Sequence, residues 1–205
     1  MVTYLNKILL FLMLPTLLLA NDQTLEKAYS DVLLTFSSLN TYEASYLQIN
    51  YWEEIDIYKS SVGKLYYDKE NFLMDYSQPD GQKLLINKNS MTMYDPVAEQ
   101  AIISDEFEME LRPDKFISHY WDISEKELVE QFDNTIKIKL LTPQEEKIII
   151  TISNKMIVEF DIMDKNKNYV IYKFSDIQIN KILPDKIFEL ILPKETSIID
   201  TRTNK

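Results

Sequence analysis

Three small groups of residues have side chains that could react or hold a ligand. The only histidine, His119, lies in the aromatic run Ser118-His119-Tyr120-Trp121. A histidine of that kind serves as a general base when a strained nucleophile turn stands beside it, and no G-x-S-x-G occurs in the chain. Packing or a surface hydrogen bond is the favoured reading. Glu53, Glu54 and Asp56 form an acidic cluster next to Tyr51 and Trp52. Paired carboxylates can divide acid and base roles in hydrolysis, but a chain with 33 acids contains such clusters by chance, so a solvated loop is favoured. Asp164-x-Asn166-x-Asn168 imitates the start of a calcium loop. Such a loop also needs glycine at its sixth position and glutamate at its twelfth, where this chain has Tyr169 and Ser175. The segment reads as a hairpin turn.

Composition narrows the field further. The 205 residues include no cysteine and only two glycines, Gly63 and Gly81. Thiolate chemistry, cysteine-bound metal and glycine-rich phosphate loops are therefore excluded. A net charge of −11 makes nucleic acid a poor partner, since phosphate backbones are bound through clustered Lys and Arg. No cofactor and no metal site are expected.

The elements that would position any site fall into three stretches. Residues 1–20 carry one basic residue, Lys7, then an apolar run, Pro15 and a second apolar run ending at Ala20. This is the order of an export leader, too short for a comfortable membrane span; an uncleaved anchor is the alternative. Residues 21–205 are then expected as a single domain. Leu25, Ala28, Tyr29, Val32, Leu33, Phe36 and Leu39 recur every three or four residues and define a helix over 22–39. After Asn40 the period drops to two. Strands are expected at 41–51, 57–67 and 71–76, with Phe72, Met74 and Tyr76 on one face. Leu84 with Ile86, and Met91 with Met93, continue the meander beyond the Pro79–Gly81 turn.

The middle of the chain breaks this pattern. Ser124 followed by Glu127 resembles a capping box, so a short helix is expected over 124–132. Alternation resumes at Ile136-x-Ile138-x-Leu140, Ile148-x-Ile150-x-Ile152, and Met156, Val158, Phe160 and Ile162. A hairpin then leads into Val170, Tyr172 and Phe174, with last strands at 177–181 and 188–192. The object expected is mainly β with α: one curled antiparallel sheet plus helices. Thirteen Tyr, nine Phe, eight Met and two Trp fit either an ordinary core or a concave face that holds a flexible apolar guest. Composition alone favours the ordinary core.

The order of several motifs resembles the LolA family of periplasmic lipoprotein carriers. Gln78-Pro79-Asp80, Leu84-Leu85-Ile86, Tyr94-Asp95-Pro96 and Glu99-Gln100-Ala101 follow one another as in its central signature. Tyr42 to Gln48, Gly63 to Tyr67, and Phe188 to Pro193 with Ser197 to Asp200 resemble its flanking segments. The resemblance implies an incomplete, half-open antiparallel barrel with a helical lid, and a non-enzymatic carrier that takes lipoprotein acyl chains from the inner membrane to the outer membrane. Implied partners are acylated lipoproteins, an inner-membrane lipoprotein-releasing ABC transporter and an outer-membrane lipoprotein receptor, met by a monomer. The alternative on the same fold is a lipoprotein-sensing or regulatory domain.

The family's gate arginine falls on Lys69, its rim phenylalanine on Phe72, and a lid-side apolar position on Phe36. With the alternating strands these give an expected acyl-chain and lid set of Phe36, Tyr46, Lys69, Phe72, Met74, Tyr76, Leu84, Ile86, Met91 and Met93. Lysine keeps the charge of the gate but not the forked geometry of a guanidinium.

Overall fold

The computed structural model describes residues 22–88, 90–105 and 113–203; the leader lies outside them. Helix α1 covers residues 22–38. It buries Leu25, Val32 and Phe36, the stripe expected from the spacing, and leaves Leu34 on its solvent face. Its end is set by Ser37 and Ser38, whose hydroxyls donate to the carbonyls of Leu34 and Thr35 at 2.9 and 2.7 Å. Those bonds occupy carbonyls that a further turn would have used.

Among the described residues twelve strands follow and form one sheet. The first six are β1 (Tyr42–Trp52), β2 (Ile57–Tyr67), β3 (Phe72–Gln78), β4 (Lys83–Ile86), β5 (Met91–Asp95) and β6 (Gln100–Ser104). Helix α2 spans Pro113–Ile123. Then come β7 (Glu125–Phe132), β8 (Thr135–Leu141), β9 (Lys147–Ser153), β10 (Met156–Met163), β11 (Tyr169–Ile179) and β12 (Ser197–Asp200). The spatial order is β12-β6-β5-β4-β3-β2-β1-β11-β10-β9-β8-β7. Among the described residues the sheet has two free edges and is not closed into a barrel, and two α-helices accompany it, so the fold is an open half-barrel with helical elements.

This order has a simple origin. The chain meanders outward from β1 to β6, passes through α2 to the opposite edge, and meanders back from β7 to β11. There β11 pairs with β1 along the middle seam, for example Tyr46 with Phe174 and Tyr51 with Tyr169. Both helices lie on the concave side, where Phe36, Phe116, Ile117 and Trp121 join the sheet's inner residues in one core. The segment after β11 crosses the outer side. Its Leu183, Ile187, Phe188 and Leu190 cover Tyr66, Leu73 and Leu85, and β12 then pairs in parallel with β6.

Three local expectations are corrected. Residues 125–132 form strand β7 and not a helix. Glu127, the expected N3 residue of the capping box, instead faces Lys139 across the β7–β8 ladder and pairs with it. Ser124 is buried with no hydrogen-bond partner for its hydroxyl among the described residues, so the cap is not made. The helix of this region starts earlier in the chain, at Pro113, a residue type favoured where an N–H is not needed. Phe188–Leu192 is not a strand, because Phe188 and Leu190 turn onto the outer face of β2–β4. In β10 a bulge between Ile157 and Glu159 puts Met156 and Ile157 inside and removes Val158 from the buried face.

Candidate functional site

The concave face is read most directly from the ladder register. One row runs Ala44, Leu65, Met74, Leu84, Met93, Ile102 and Ile199 across seven strands. Facing partners in a sheet share a side, so all seven project inward. Their exposure runs 0, 2, 1, 6, 37, 37 and 42 % in the same order. The row begins sealed and ends open, although every residue in it is apolar.

Helices explain the sealed part. Phe36 of α1 lies with its ring centre 5.9 Å from that of Tyr42. Phe116 of α2 stacks on Phe160 at 4.4 Å. The two helices are joined by Tyr29 and Trp121, stacked at 4.4 Å and nearly parallel. A pair so arranged contributes about 1 kcal/mol beyond its burial. Over β5, β6 and β12 no helix of the described residues covers the row, and Met93, Ile102 and Ile199 stay exposed.

The expected site residues therefore divide. Phe36 of α1 and Tyr46, Phe72, Met74 and Leu84 of the sheet are buried between the two layers. Tyr76, Ile86 and Met91 are half-buried at the border of the same core. Met93 stands on the open part with Ile102 and Ile199, two positions that strand alternation alone did not single out. Lys69 is exposed at the β2–β3 turn with φ of 68°. That turn is closed by Asp68, whose carboxylate accepts from the Asn71 N–H at 2.9 Å. Lys69 makes no ion pair to either helix among the described residues.

A different charge ties α1 to the sheet. Asp31 pairs with Lys27 at 2.8 Å and with Lys155, in the β9–β10 turn, at 3.6 Å. The bond from Lys27 is the main reason its carboxyl lies below the usual range. A cleft of about 430 Å³ opens there, with Ala28, Ile136 and Ile152 among its apolar walls and Asp31 and Lys155 at its rim.

Polar groups inside the core are few. The Tyr46 hydroxyl is buried without a hydrogen-bond partner among the described residues, as is that of Tyr42. Burial pushes both phenols well above their ordinary pKa, so they stay neutral. Tyr46 meets Tyr76 edge-on at 5.5 Å, with Gly63 paired to both across the ladders. A Cβ on Gly63 would stand 2.2 Å from the Asp75 carbonyl oxygen and 2.8 Å from the Tyr46 hydroxyl. Glycine is required here by close approach.

The groups first considered for chemistry take structural roles. His119 is exposed on α2, edge-on to Tyr120 at 4.9 Å. The Asp164 carboxylate accepts from the N–H groups of Asn166 and Asn168 at 2.8 and 2.9 Å, closing a hairpin. Glu53, Glu54 and Asp56 are exposed on and beside a 3-10 turn at the β1–β2 tip. Carboxylates in open solvent enclose no leaving group, which ends the hydrolase reading. Among the described residues no group of three acids or histidines is placed to hold a metal, and no helix is long and apolar enough to cross a membrane.

Fold and site together define an open half-barrel with helices over an apolar inner face. The model of the family described as outer membrane lipoprotein carrier protein LolA matches residues 37–191, well over half of the chain, and the protein belongs to that family. Comparison with curated proteins finds no match. Among solved structures, an uncharacterized conserved protein of Thermus thermophilus is 11 % identical, with 86 % of this chain and 99 % of that one covered and a TM-score of 0.60. The MucA/MucB complex of Pseudomonas aeruginosa is 7 % identical, with 83 % and 62 % covered and a TM-score of 0.54. A LolA superfamily protein of Nitrosomonas europaea is 13 % identical, covering 74 % and 90 %, with a TM-score of 0.40.

Proposed function

We propose that the protein carries lipoproteins through the periplasm, shielding their acyl chains between the helices and the concave sheet. The observation that carries this reading is the inner row that passes from sealed to open while remaining apolar. An apolar surface left in water next to a core already sealed by two helices suits a guest that enters at the open end and displaces the helices in turn. The energetic need is clear: one ~16-carbon chain costs on the order of 12 kcal/mol to hold in water, at ~0.8 kcal/mol per CH₂. Binding must also be reversible. Helices held by stacked rings and one surface ion pair meet that demand better than a rigid cavity.

In this reading residues 1–20 direct export and are removed, and 21–205 act as one unit. Cargo comes from an inner-membrane ABC transporter and goes to an outer-membrane receptor. Phe36, Phe72, Met74, Leu84 and Met93 contact the chains, and Lys69 lies outside the closed lid, free to meet a partner or a headgroup. No bond is made or broken. Native mass spectrometry of the protein co-expressed with a triacylated lipoprotein tests this. A 1:1 complex that is lost when the lipoprotein lacks its acyl chains is expected, and an unliganded protein under those conditions refutes the reading. Depletion separates carrier from sensor, because only loss of a carrier leaves outer-membrane lipoproteins at the inner membrane.

A further inference from the structure

The outer face of the sheet is finished in two different ways. Over β2–β4 the chain's own segment after β11 covers Tyr66, Leu73 and Leu85. Over β9–β11 and the far ends of β1 and β2 the apolar residues have no such cover among the described residues. One outer row runs Tyr58, Tyr51, Tyr169 and Met163, and the next runs Ile49, Ile171, Asp161 and Ile149. Tyr51 lies with its ring centre 4.4 Å from that of Tyr58 and 5.0 Å from that of Tyr169.

This surface is braced by hydrogen bonds. The Glu53 N–H donates to Asn168 Oδ1 at 3.0 Å, joining the β1–β2 and β10–β11 turns. The Tyr51 hydroxyl donates to Asp56 Oδ1 at 3.2 Å. Trp52, Ile55, Ile57 and Tyr58 are all exposed around this tip. A preorganised aromatic platform loses little freedom when a partner docks.

Two independent features give the partner a sign. Residues 51–58 contain Glu53, Glu54 and Asp56 and no basic side chain. Beyond Tyr169, a cavity of about 170 Å³ is lined by Ile149, Asp161, Met163 and Ile171, with Lys147 on its wall. Asp161 Oδ1 is sealed there without a hydrogen-bond partner among the described residues, and Lys173, one of the cations whose charge reaches it, is engaged with Glu159 at 3.2 Å. Burial, helped by the neighbouring Glu159, raises the carboxyl above its usual pKa even though Lys173 and Lys137 oppose the rise.

We infer that this outer face, from the 51–58 tip to the Asp161 cavity, docks a protein partner through a basic segment whose arginine or lysine enters the cavity while its apolar residues lie on Tyr51, Tyr58 and Tyr169. The guanidinium or ammonium would complete Asp161, and the exposed acids would steer it. Because the face is opposite the helices, docking leaves the concave mouth free. The inference stands apart from what that mouth holds.

The test uses full-length protein and an eight-residue peptide alternating arginine with leucine, with its glutamate-for-arginine counterpart as control. Saturable binding of the arginine peptide that weakens with salt is expected. D161N and Y58S should each weaken it by about tenfold, whereas E130Q on the remote β7 edge should leave it unchanged. D161N removes an unpaired charge, so its melting temperature should hold or rise, which excludes unfolding as the cause. Equal binding of both peptides, or binding indifferent to D161N and Y58S, overturns the inference. So does Tyr58-dependent association with phosphatidylcholine vesicles, or Tyr58-dependent dimerisation, in the absence of peptide binding.

Discussion

The two halves of the concave face are built from the same kinds of residue and differ in what lies over them. Across β1–β3 and β8–β11, Tyr, Met, Ile and Phe meet α1 and α2 and vanish from solvent. Across β5, β6 and β12, Met93, Ile102 and Ile199 face water. Sequence composition cannot separate these halves, because side-chain type is shared and cover is not. The difference teaches that the site of such a protein is defined by where its helices stop.

The comparison can be broken most severely on the sealed side. Gly63→Ala places a methyl 2.2 Å from the Asp75 carbonyl oxygen; a loss of about 3 kcal/mol or more is expected in urea unfolding. Met74→Ala and Trp121→Ala should each cost about 2–5 kcal/mol, since both side chains are buried in full packing. Met93→Ala, on the same row but open, should cost under about 1 kcal/mol. If Met74→Ala and Met93→Ala cost the same, the two halves are not distinct.

Binding should invert this order. Met93→Asp with Ile102→Asp should leave unfolding nearly unchanged and reduce affinity for an apolar dye by about tenfold or more. A dye affinity unaffected by the pair would move the guest away from the open half.

The ion pair on α1 sharpens the picture on a smaller scale. Asp31 has its carboxyl pKa lowered in the folded protein, mainly by Lys27. The folded state therefore binds its proton less readily than the unfolded state. The resulting stability is present above the ordinary carboxylate pKa and is lost as pH falls through the lowered one. Asp31→Asn should cost under about 1 kcal/mol at neutral pH, for the group is at the surface, and the difference from wild type should vanish in acid. Tyr46→Phe is expected to run the other way. Removing a buried hydroxyl that has no hydrogen-bond partner among the described residues should leave stability unchanged or raise it by about 1 kcal/mol in thermal unfolding.

Much of this architecture is legible in the sequence, and the parts that are not share a cause. The stripe of α1 and the alternation of β1–β5, β8 and β9 are local patterns, set by which side of one element is buried. Residues 125–132 misled because Glu, Lys, Leu and Gln favour a helix in isolation, while the ladder to β8 exists only after the chain has returned. Phe188 and Leu190 look like strand residues and serve instead as cover for Tyr66 and Leu73. In the candidate site, Phe72, Met74 and Leu84 could be placed inside by period alone. Ile199 could not, since its membership depends on β12 pairing with β6 across about a hundred residues. Lys69 was matched by its place in a motif, and the helix-to-sheet ion pair was found at Asp31 and Lys155.

The central seam has a consequence in time. β1 and β11 lie side by side at the middle of the sheet, yet Tyr51 meets Tyr169 and Tyr42 meets Ile179. Neither meander has a finished inner edge until nearly the whole chain is present, so the entropy of closing the longest loop falls on the pairing that unites the molecule. A chain built this way stays an unfinished polymer while it is being made or moved, and it acquires its seam last. Refolding on the slow side of the millisecond-to-second range, with Leu47→Ala at the seam mainly accelerating unfolding, is the kinetic signature of that order.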